Sequence, residues 1–478
     1  MDLKAKKLNW RMLAMMGFTV VWGFGNVVNN YANQGLTVVV SWILILSLYF
    51  LPYTLMVGEM GSIFENESGG VSSWIGSTYG PMIAYFAGWT YWVVHIPYLA
   101  QKPQNVLVAL SWVFFQNGDT IKSFNPLILQ SIVLVIFLFF LWLSSKGINS
   151  LKKIGAMAGT SMFFMGILYI LLTVAAPHLV HVHSATTTWN MHTFLPKFDF
   201  KYFTTISMLI FAVGGCEKIS PYVKDIDNPS KNFPKGMLAV AIMVGMSALL
   251  GSFAMGIMFD SAHIPVDLKM NGQYYAFKIL GDYYGVGNSL MILYAVANTL
   301  GQLSGLMFSI DAPLKILIGN ADANYIPKIF AKTNEFDAPI NGYKLTAILV
   351  GILIIVPAFG IGNMNSLYNW LLDLNSIVMP LRYLWVFLAY IGLRGLLKNR
   401  KLTANASYKF IKNDKLATFI GVWCFAFTAF ACSMGVFPKN IPLFSKEWFF
   451  QITLNILTPL VLIGLGFIFP MIAKKTNK

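Results

Sequence analysis

Long apolar stretches alternate with short polar connections along nearly the whole chain. A helix needs about 20 predominantly apolar residues to cross a lipid bilayer, and twelve stretches of this chain meet that requirement. The pattern therefore predicts an all-α integral membrane protein with twelve transmembrane helices, which we number span 1 to span 12. They cover residues 10–32, 37–61, 82–115, 125–145, 154–176, 201–219, 236–259, 286–317, 343–361, 367–393, 416–437 and 447–473.

Span 1 and span 6 are each interrupted by two glycines. Span 1 contains GFGN at residues 23–26, and span 6 contains FAVGGCEKISPY at residues 211–222. Non-helical backbone at membrane depth is tolerated only where it is buried in protein or lines a cavity. The interruptions lie five spans apart, as two repeats of five helices require, and such matched breaks indicate a transporter's binding site. The alternative is that the glycines only permit close helix packing.

The composition and the charge pattern agree with a membrane protein. Hydrophobic residues make up 56% of the chain and charged residues 11%, against about 25% charged residues in soluble domains. The net charge is +15, and the lysines and arginines concentrate in every second connection. Lys218 belongs to these lysine-rich connections. The other connections hold few basic residues, and Lys269 and Lys439 are two of them. The positive-inside rule then places both termini in the cytoplasm. The basic balance is a topology signal, and we expect no nucleic-acid partner.

Several function classes lack their motifs in this sequence. No phosphate-binding GxxxxGK[ST] motif, HExxH motif or nucleophile with a base at membrane depth is present, so the chain is predicted not to be an enzyme or a primary pump. Twelve dissimilar spans argue against a channel built from repeated pore loops. No cofactor and no metal site is expected, because the cysteines are widely separated and no carboxylate or cysteine completes a set with the histidines of the connection after span 5 (Cys216, Cys424, Cys432; His178, His181, His183).

Three motifs carry a family resemblance. They are GFGNVV at residues 23–28, VGEMGSIFENESGGVSSWIGSTYGP at residues 57–81, and FAVGGCEKISPYVKDIDNPSKNFPKGM at residues 211–237. The chain resembles the amino acid–polyamine–organocation transporters, and most closely their bacterial glutamate/4-aminobutyrate antiporter branch. Phe24 departs from the family pattern, which usually has a serine between the two glycines of the first motif.

The resemblance implies a fold and a binding mode. It implies a cytoplasmic arm at residues 1–9, a core of ten helices in two inverted repeats at 10–393, a cytoplasmic loop at 394–415, and two peripheral helices with a short cytoplasmic tail at 416–478. It also implies alternating access, with the span 1 break binding a substrate carboxylate and the span 6 break its amino group, and Phe211 as a candidate gate. The substrate-binding residues carried over are Gly23, Phe24, Gly25, Asn26, Val27, Phe211, Ala212, Val213 and Gly214.

Span 3 holds the most unusual polar set within a predicted span. His95 and Lys102 are seven residues apart and therefore share a helix face. Lys102 could attract an anionic substrate side chain, or form a structural ion pair with Glu217 or Asp373. His95 could sense pH, because its charge changes near neutrality. Trp92 could stack on a substrate ammonium group.

Two carboxylates complete the candidates for charge or coupling roles. Glu217, after the span 6 break, could bridge helices, gate the site or take up a proton. Asp373 in span 10 could bind a cationic amine or pair with a base, and Arg382 lies nine residues further on. The charges of the embedded set nearly cancel, so the sequence leaves both an acidic amino acid and an amine open as the substrate.

The function predicted from these features is secondary active transport across a bacterial cell membrane. The expected activity is antiport of an amino acid against another amino acid or its decarboxylated amine. The alternatives are an agmatine- or putrescine-like amine exchanger and a proton-coupled amino acid symporter. The expected partners are the small-molecule substrate and membrane lipid, and the sequence does not distinguish a monomer from a homodimer.

Overall fold

A computed structural model describes residues 9–66, 70–146, 150–320, 324–336, 338–396, 408–439 and 441–476. Almost all of the predicted N-terminal arm and residues 397–407 of the predicted cytoplasmic loop lie outside the described residues. Within the described part the chain consists of helices and connections, and β pairing is limited to one isolated bridge between Thr333 and Pro339. The predicted all-α class is therefore confirmed.

The first half of the chain contains the helices that carry both predicted breaks. A π-helical turn, Leu46–Phe50, joins α3 to α4, and a 3-10 segment, Cys216–Asp225, follows α11. The α-helices are α1 (Trp10–Val21), α2 (Phe24–Gln34), α3 (Thr37–Ile45), α4 (Leu51–Ile63), α5 (Val71–Tyr79), α6 (Pro81–Val93), α7 (His95–Phe115), α8 (Pro126–Ser145), α9 (Ser150–Leu179), α10 (Met191–Phe194) and α11 (Phe200–Val213).

The second half begins with a long helix and ends with two. A π-helical turn, Gly392–Leu396, extends α18. The helices are α12 (Pro229–Met258), α13 (Leu268–Tyr283), α14 (Ser289–Asn320), α15 (Lys328–Ala331), α16 (Ile340–Ile355), α17 (Met364–Val378), α18 (Leu381–Ile391), α19 (Asp414–Gly435) and α20 (Lys446–Thr476).

Ten described helices are long and apolar enough to cross a membrane, or eleven if the bent pair α1–α2 counts as one span. The predicted span 3 corresponds to α6 and α7, which are not among them. Its polar residues, including His95, Gln101 and Lys102, lower its hydropathy. By length and hydropathy the described residues therefore contain many membrane spans, but fewer than the twelve predicted.

One predicted connection contains structure that the pattern did not indicate. Residues 260–285 were expected to be a polar connection, and they contain the 16-residue helix α13. This helix is too short and too polar to read as a span, yet Lys269, Asn271 and Gln273 are buried in it. These three polar side chains face the protein rather than solvent, which hydrophobic periodicity cannot reveal.

The spans differ sharply in how much protein surrounds them. In their most apolar windows, 83% of Phe200–Ser220 and 78% of Met364–Gly395 is buried, against 28% of Pro126–Ser145 and 22% of Thr160–Leu179. Apolar side chains that a helix leaves exposed are well solvated by lipid tails, which are equally apolar. The broken span 6 and span 10 therefore lie at the centre of the molecule, with α8 and α9 at its lipid-facing periphery.

Candidate functional site

The break in span 1 lies between α1 and α2, which meet at a bend of 44°. Trp22 and Gly23 are extended (φ −118°, ψ 145° and φ −153°, ψ 156°), and the helix resumes at Phe24. The prediction put the break over all of residues 23–26, whereas Gly25 and Asn26 already belong to the first turn of α2. First-turn amides have no acceptor within their own helix and carry the positive end of its dipole. The amides of Phe24 and Gly25 are therefore suited to an anion.

The break in span 6 follows directly on α11. Gly214 is extended (ψ 159°), and Gly215 has φ +113°, a conformation that side chains disfavour. Gly214 also lies against the ring of Tyr383, where an added Cβ would come within 2.0 Å of Cζ. These glycines therefore permit both the turn of the backbone and the close approach of α18.

A single side chain joins the two breaks. Asn26 donates from Nδ2 to the carbonyl oxygen of Ala212 at 3.1 Å, and the same nitrogen lies 3.4 Å from the carbonyl oxygen of Val21. The first turn of α2 is thereby attached to the last turn of α11. The two breaks therefore lie next to each other.

The side chains of several predicted binding residues point into the core. Phe24 packs against Tyr169 with ring centroids 4.4 Å apart, and Val27 packs against Gly251 of α12. Ala212 and Val213 are buried, and Phe211 is half-buried between two apolar clusters. These residues offer backbone groups rather than side chains to a ligand.

Trp92 does not stand open to a substrate in this structure. Its side chain is buried and meets Trp89 edge-on at 5.1 Å. Its indole N–H has no hydrogen-bond partner among the described residues. The predicted stacking on an ammonium group would require this ring to move.

His95 contacts a buried arginine. Arg382 Nη1 lies 3.1 Å from His95 Nε2, and His95 Nδ1 lies 2.7 Å from the carbonyl oxygen of Tyr91. Because a guanidinium group can only donate, Nε2 must accept, and Nδ1 then carries the proton that it donates to Tyr91. His95 is therefore neutral in this arrangement and oriented by Arg382.

Glu217 is the carboxylate of this cluster. Its Oε1 lies 3.0 Å from Arg382 Nε, and its Oε2 accepts a short hydrogen bond from the hydroxyl of Tyr53. Arg382 Nη2 also donates to the hydroxyl of Tyr383 at 3.3 Å. A buried charge requires such partners, so Glu217 and Arg382 neutralise each other.

Two lysines lie beside this pair. Lys102 donates to Gln302 Oε1 at 2.8 Å rather than to Glu217 or Asp373, so its proposed structural ion pairs are not formed. Its ammonium group lies 4.7 Å from the ring centroid of Tyr98, and the ammonium group of Lys218 lies 5.7 Å from the same centroid. His95 also contacts this ring, with centroids 6.1 Å apart, so Tyr98 lies between residues 95 and 102 on the helix face that they share.

Asp373 is part of a separate cluster. Its Oδ1 lies 3.1 Å from Lys269 Nζ and 3.3 Å from Lys439 Nζ. Burial lowers the pKa of Lys439, and the charge of Asp373 offsets only part of that effect. Arg382, the base considered from the sequence, pairs with Glu217 instead. Asp373 therefore ties α17 to α13 and to the connection before α20.

Comparisons with known proteins identify the class of this arrangement. A model of the amino acid permease family matches residues 8–459. The chain belongs to the amino acid permease family. Membership makes it a membrane transporter rather than an enzyme.

Individual relatives of this permease come from bacteria. It is 52% identical to the aspartate/glutamate permease AcaP of Lactococcus lactis subsp. cremoris (strain MG1363), over 100% of this chain and 97% of the relative. It is 26% identical to a glutamate/gamma-aminobutyrate antiporter of Lactococcus lactis subsp. lactis (strain IL1403), over 76% of this chain and 71% of the relative. It is 23% identical to a probable agmatine/putrescine antiporter, AguD, of the same strain, over 74% and 72%. The predicted superfamily is thus confirmed.

Sequence reasoning missed three groups of this permease site: Lys218, Tyr98 and the pairing of Arg382 with Glu217. Lys218 was counted among the cytoplasmic lysines that set the topology. The signal that could have found it is its position directly after Glu217, inside an otherwise apolar span. Among the described residues, no group of three His, Cys, Asp or Glu side chains is placed to hold a metal ion.

Proposed function

We propose that this permease carries an acidic amino acid, aspartate or glutamate, across the bacterial cell membrane by alternating access. The charge balance beside the two helix breaks carries the proposal. Arg382 already balances the charge of Glu217, while Lys102 and Lys218 lie against the ring of Tyr98. Lys102 and Lys218, both half-buried, are thus left as surplus positive charge, which favours an anionic ligand.

The backbone groups of the breaks complete the proposed binding site. The amides of Phe24 and Gly25 would hold the α-carboxylate, and the carbonyl oxygens of residues 211–214 would hold the ammonium group. No heavy atom of the described residues lies within 4 Å of the position of a Cβ added to Gly23, so a ligand has room beside it. Phe211, which is half-buried between the two apolar clusters, would act as a gate.

An amine substrate is disfavoured by the same geometry. The sequence singled out Glu217 and Asp373 as the embedded carboxylates that would suit an amine. Glu217 lies 3.0 Å from Arg382, and Asp373 lies within 3.3 Å of both Lys269 and Lys439. A cationic substrate would have to displace these buried partners, at a cost of several kcal/mol.

The relatives support the acidic substrate and the exchange mode to different degrees. The relative at 52% identity is named an aspartate/glutamate permease, and those at 26% and 23% are named antiporters. We propose exchange of the amino acid for another amino acid or its decarboxylated amine. Proton-coupled symport is the alternative mechanism.

The proposed architecture has twelve spans, with α6 and α7 together forming span 3. Residues 10–393 would form two inverted repeats of five helices, and residues 416–478 the two peripheral helices and tail, with both termini in the cytoplasm. The joining of the first break to the second through Asn26 and Ala212 supports this arrangement. An inverted repeat brings corresponding segments together at the middle of the membrane.

Counterflow in proteoliposomes tests the proposal. Vesicles would be preloaded in turn with glutamate, aspartate, glutamine, arginine or putrescine, and uptake of labelled glutamate measured at pH 5 and pH 7. Uptake stimulated by preloaded acidic amino acids is expected. Uptake driven only by a proton gradient would replace exchange by symport, and stimulation confined to arginine or putrescine would overturn the acidic substrate.

A further inference from the structure

Two lysines from different helices approach one aromatic ring. Lys102 belongs to α7, and Lys218 belongs to the 3-10 segment after the break of span 6. Their ammonium groups lie 4.7 Å and 5.7 Å from the ring centroid of Tyr98. A cation–π contact holds an ammonium group in place but leaves its charge unbalanced. The same ring therefore contacts both ammonium groups.

Neither lysine has a carboxylate partner among the described residues. The hydrogen bond of Lys102 goes to the neutral amide of Gln302. Lys218 makes no side-chain hydrogen bond or ion pair there, and its neighbour Glu217 is engaged by Arg382 and Tyr53. Like charges in a weakly polar interior repel, so this pair is unfavourable until an anion lies between them.

The contact between Lys102 and Gln302 can be released without leaving a polar group unpaired. Gln302 Oε1 also accepts from Asn105 Nδ2 at 3.2 Å, and Gln302 Nε2 donates to Asn298 Oδ1 at 2.9 Å. The glutamine thus stays bonded if the ammonium group turns towards a ligand. Lys102 is therefore free to turn towards a ligand, whereas Arg382 is held by Glu217 and His95.

We propose that Lys218 and Lys102 bind the side-chain carboxylate of the acidic substrate, with Tyr98 positioning both ammonium groups. This assignment rests on the proposed function and divides the site. The α-carboxylate lies at the amides of the span 1 break, and the second carboxylate lies between the two lysines. Discrimination between an acidic amino acid and its neutral amide then depends on the lysine pair.

Competition against labelled glutamate uptake tests the assignment. Unlabelled glutamate and glutamine, and aspartate and asparagine, would be compared as competitors in the wild type and in Lys218→Gln and Lys102→Gln. Each substitution is expected to reduce the preference for the acid over its amide by roughly 10- to 100-fold, the range for loss of one charge-assisted hydrogen bond. Lys218→Arg should retain most of the preference. Lys201→Gln, an exposed position at the start of α11, is the matched control.

A purely structural role predicts different results. It would lower transport of acid and amide alike and reduce thermal stability, whereas the proposal expects stability unchanged or raised, because a like-charge repulsion is relieved. An unchanged acid-to-amide preference in both variants would overturn the assignment alone. Absence of glutamate uptake by the wild type would overturn the proposed function and the assignment with it.

Discussion

At the residue scale, the pair of Glu217 and Arg382 is the most consequential ionic contact beside the breaks. Both side chains are at most 2% exposed. Removing one member of a buried pair leaves an uncompensated charge in the protein, at a cost of about 3–5 kcal/mol. Glu217→Gln should therefore lower the free energy of unfolding by that amount.

The measurement is thermal unfolding of the purified protein in detergent. Asp414→Asn is the matched control, because Asp414 pairs with Arg394 at 3.2 Å but its side chain is 68% exposed. Water screens so exposed a carboxylate, and the buried Arg394 keeps Glu59 as a partner at 3.2 Å, so a loss of about 0–1 kcal/mol is expected. Equal unfolding temperatures for the two variants would show that the Glu217 pair is not the buried constraint described here.

Two glycines of the breaks should respond differently to the same change. Gly214→Ala places a methyl group 2.0 Å from the ring of Tyr383, so one helix must shift. Gly23→Ala adds a methyl group that meets no heavy atom of the described part of the chain within 4 Å, in an extended conformation that alanine adopts readily. Gly214→Ala should thus fold poorly and Gly23→Ala normally, as judged by size-exclusion chromatography and unfolding temperature. Equal stability of the two proteins would contradict the packing of Tyr383 on Gly214.

At the element scale, ionic contacts of Asp267 and Lys269 hold the start of helix α13 in place. Asp267 contacts Lys122 at 2.5 Å and accepts from Asn271 and Tyr275, while Lys269 reaches Asp373. Burial alone would raise the pKa of Asp267, but the hydrogen bonds, with that from Lys122 the largest, lower it below its ordinary 3.8. The pKa of Lys122 is raised, because its bonds to Asp267 and Asp119 outweigh burial.

The pH dependence of this contact follows from those directions. A lowered carboxyl pKa means that the contribution of Asp267 is present above pH 3.8 and is lost as the pH falls through the folded-state pKa. The raised pKa of Lys122 preserves the contribution up to at least pH 10.5. The difference in unfolding temperature between wild type and Asp267→Asn should therefore be constant from roughly pH 5 to pH 9 and shrink towards pH 3. A difference that shrinks near pH 6 instead would implicate another group.

The breaks show what a sequence can and cannot predict about an element. The glycine pairs correctly indicated that spans 1 and 6 are interrupted, because glycine within a membrane-spanning segment destabilises the helix. They did not locate the first break, since the extended residues are Trp22 and Gly23 rather than residues 23–26. A further helix end has a local cause. Pro97 has no amide hydrogen to donate to the carbonyl oxygen of Val93, and α6 ends at Val93. The partners of these breaks depend on tertiary contacts that no local pattern contains.

At the scale of the whole molecule, the lysine distribution has two origins. Lys218 was counted with the cytoplasmic side and Lys269 and Lys439 with the outer side, yet Lys269 and Lys439 are buried on Asp373 and Lys218 lies beside Tyr98. Hydropathy and charge predicted the all-helical membrane class, because both act residue by residue. The charged clusters could not be predicted from the sequence, because Glu217 and Arg382 are brought together only by the packing of the broken span 6 on α18.

The proposed topology can be checked with single introduced cysteines, because the native ones are shielded. Cys216, Cys424 and Cys432 are free and buried, so the native protein should resist a membrane-impermeant maleimide, which requires an exposed thiolate. Lys201 and Lys415 are exposed at the ends of α11 and α19. Five proposed spans, 6 to 10, separate them. In intact cells Lys201→Cys should therefore be labelled, and Lys415→Cys only after permeabilisation.

A third position makes this labelling sensitive to the peripheral helices. Lys475, exposed near the end of α20, is separated from Lys415 by spans 11 and 12, so Lys475→Cys should behave like Lys415→Cys. Labelling of Lys201→Cys and Lys415→Cys from the same side would mean an even number of crossings between them and would remove the inverted repeat. Opposite behaviour of Lys415→Cys and Lys475→Cys would instead confine the error to the last two helices. The order of labelled sites thus tests the twelve-span arrangement independently of substrate and coupling.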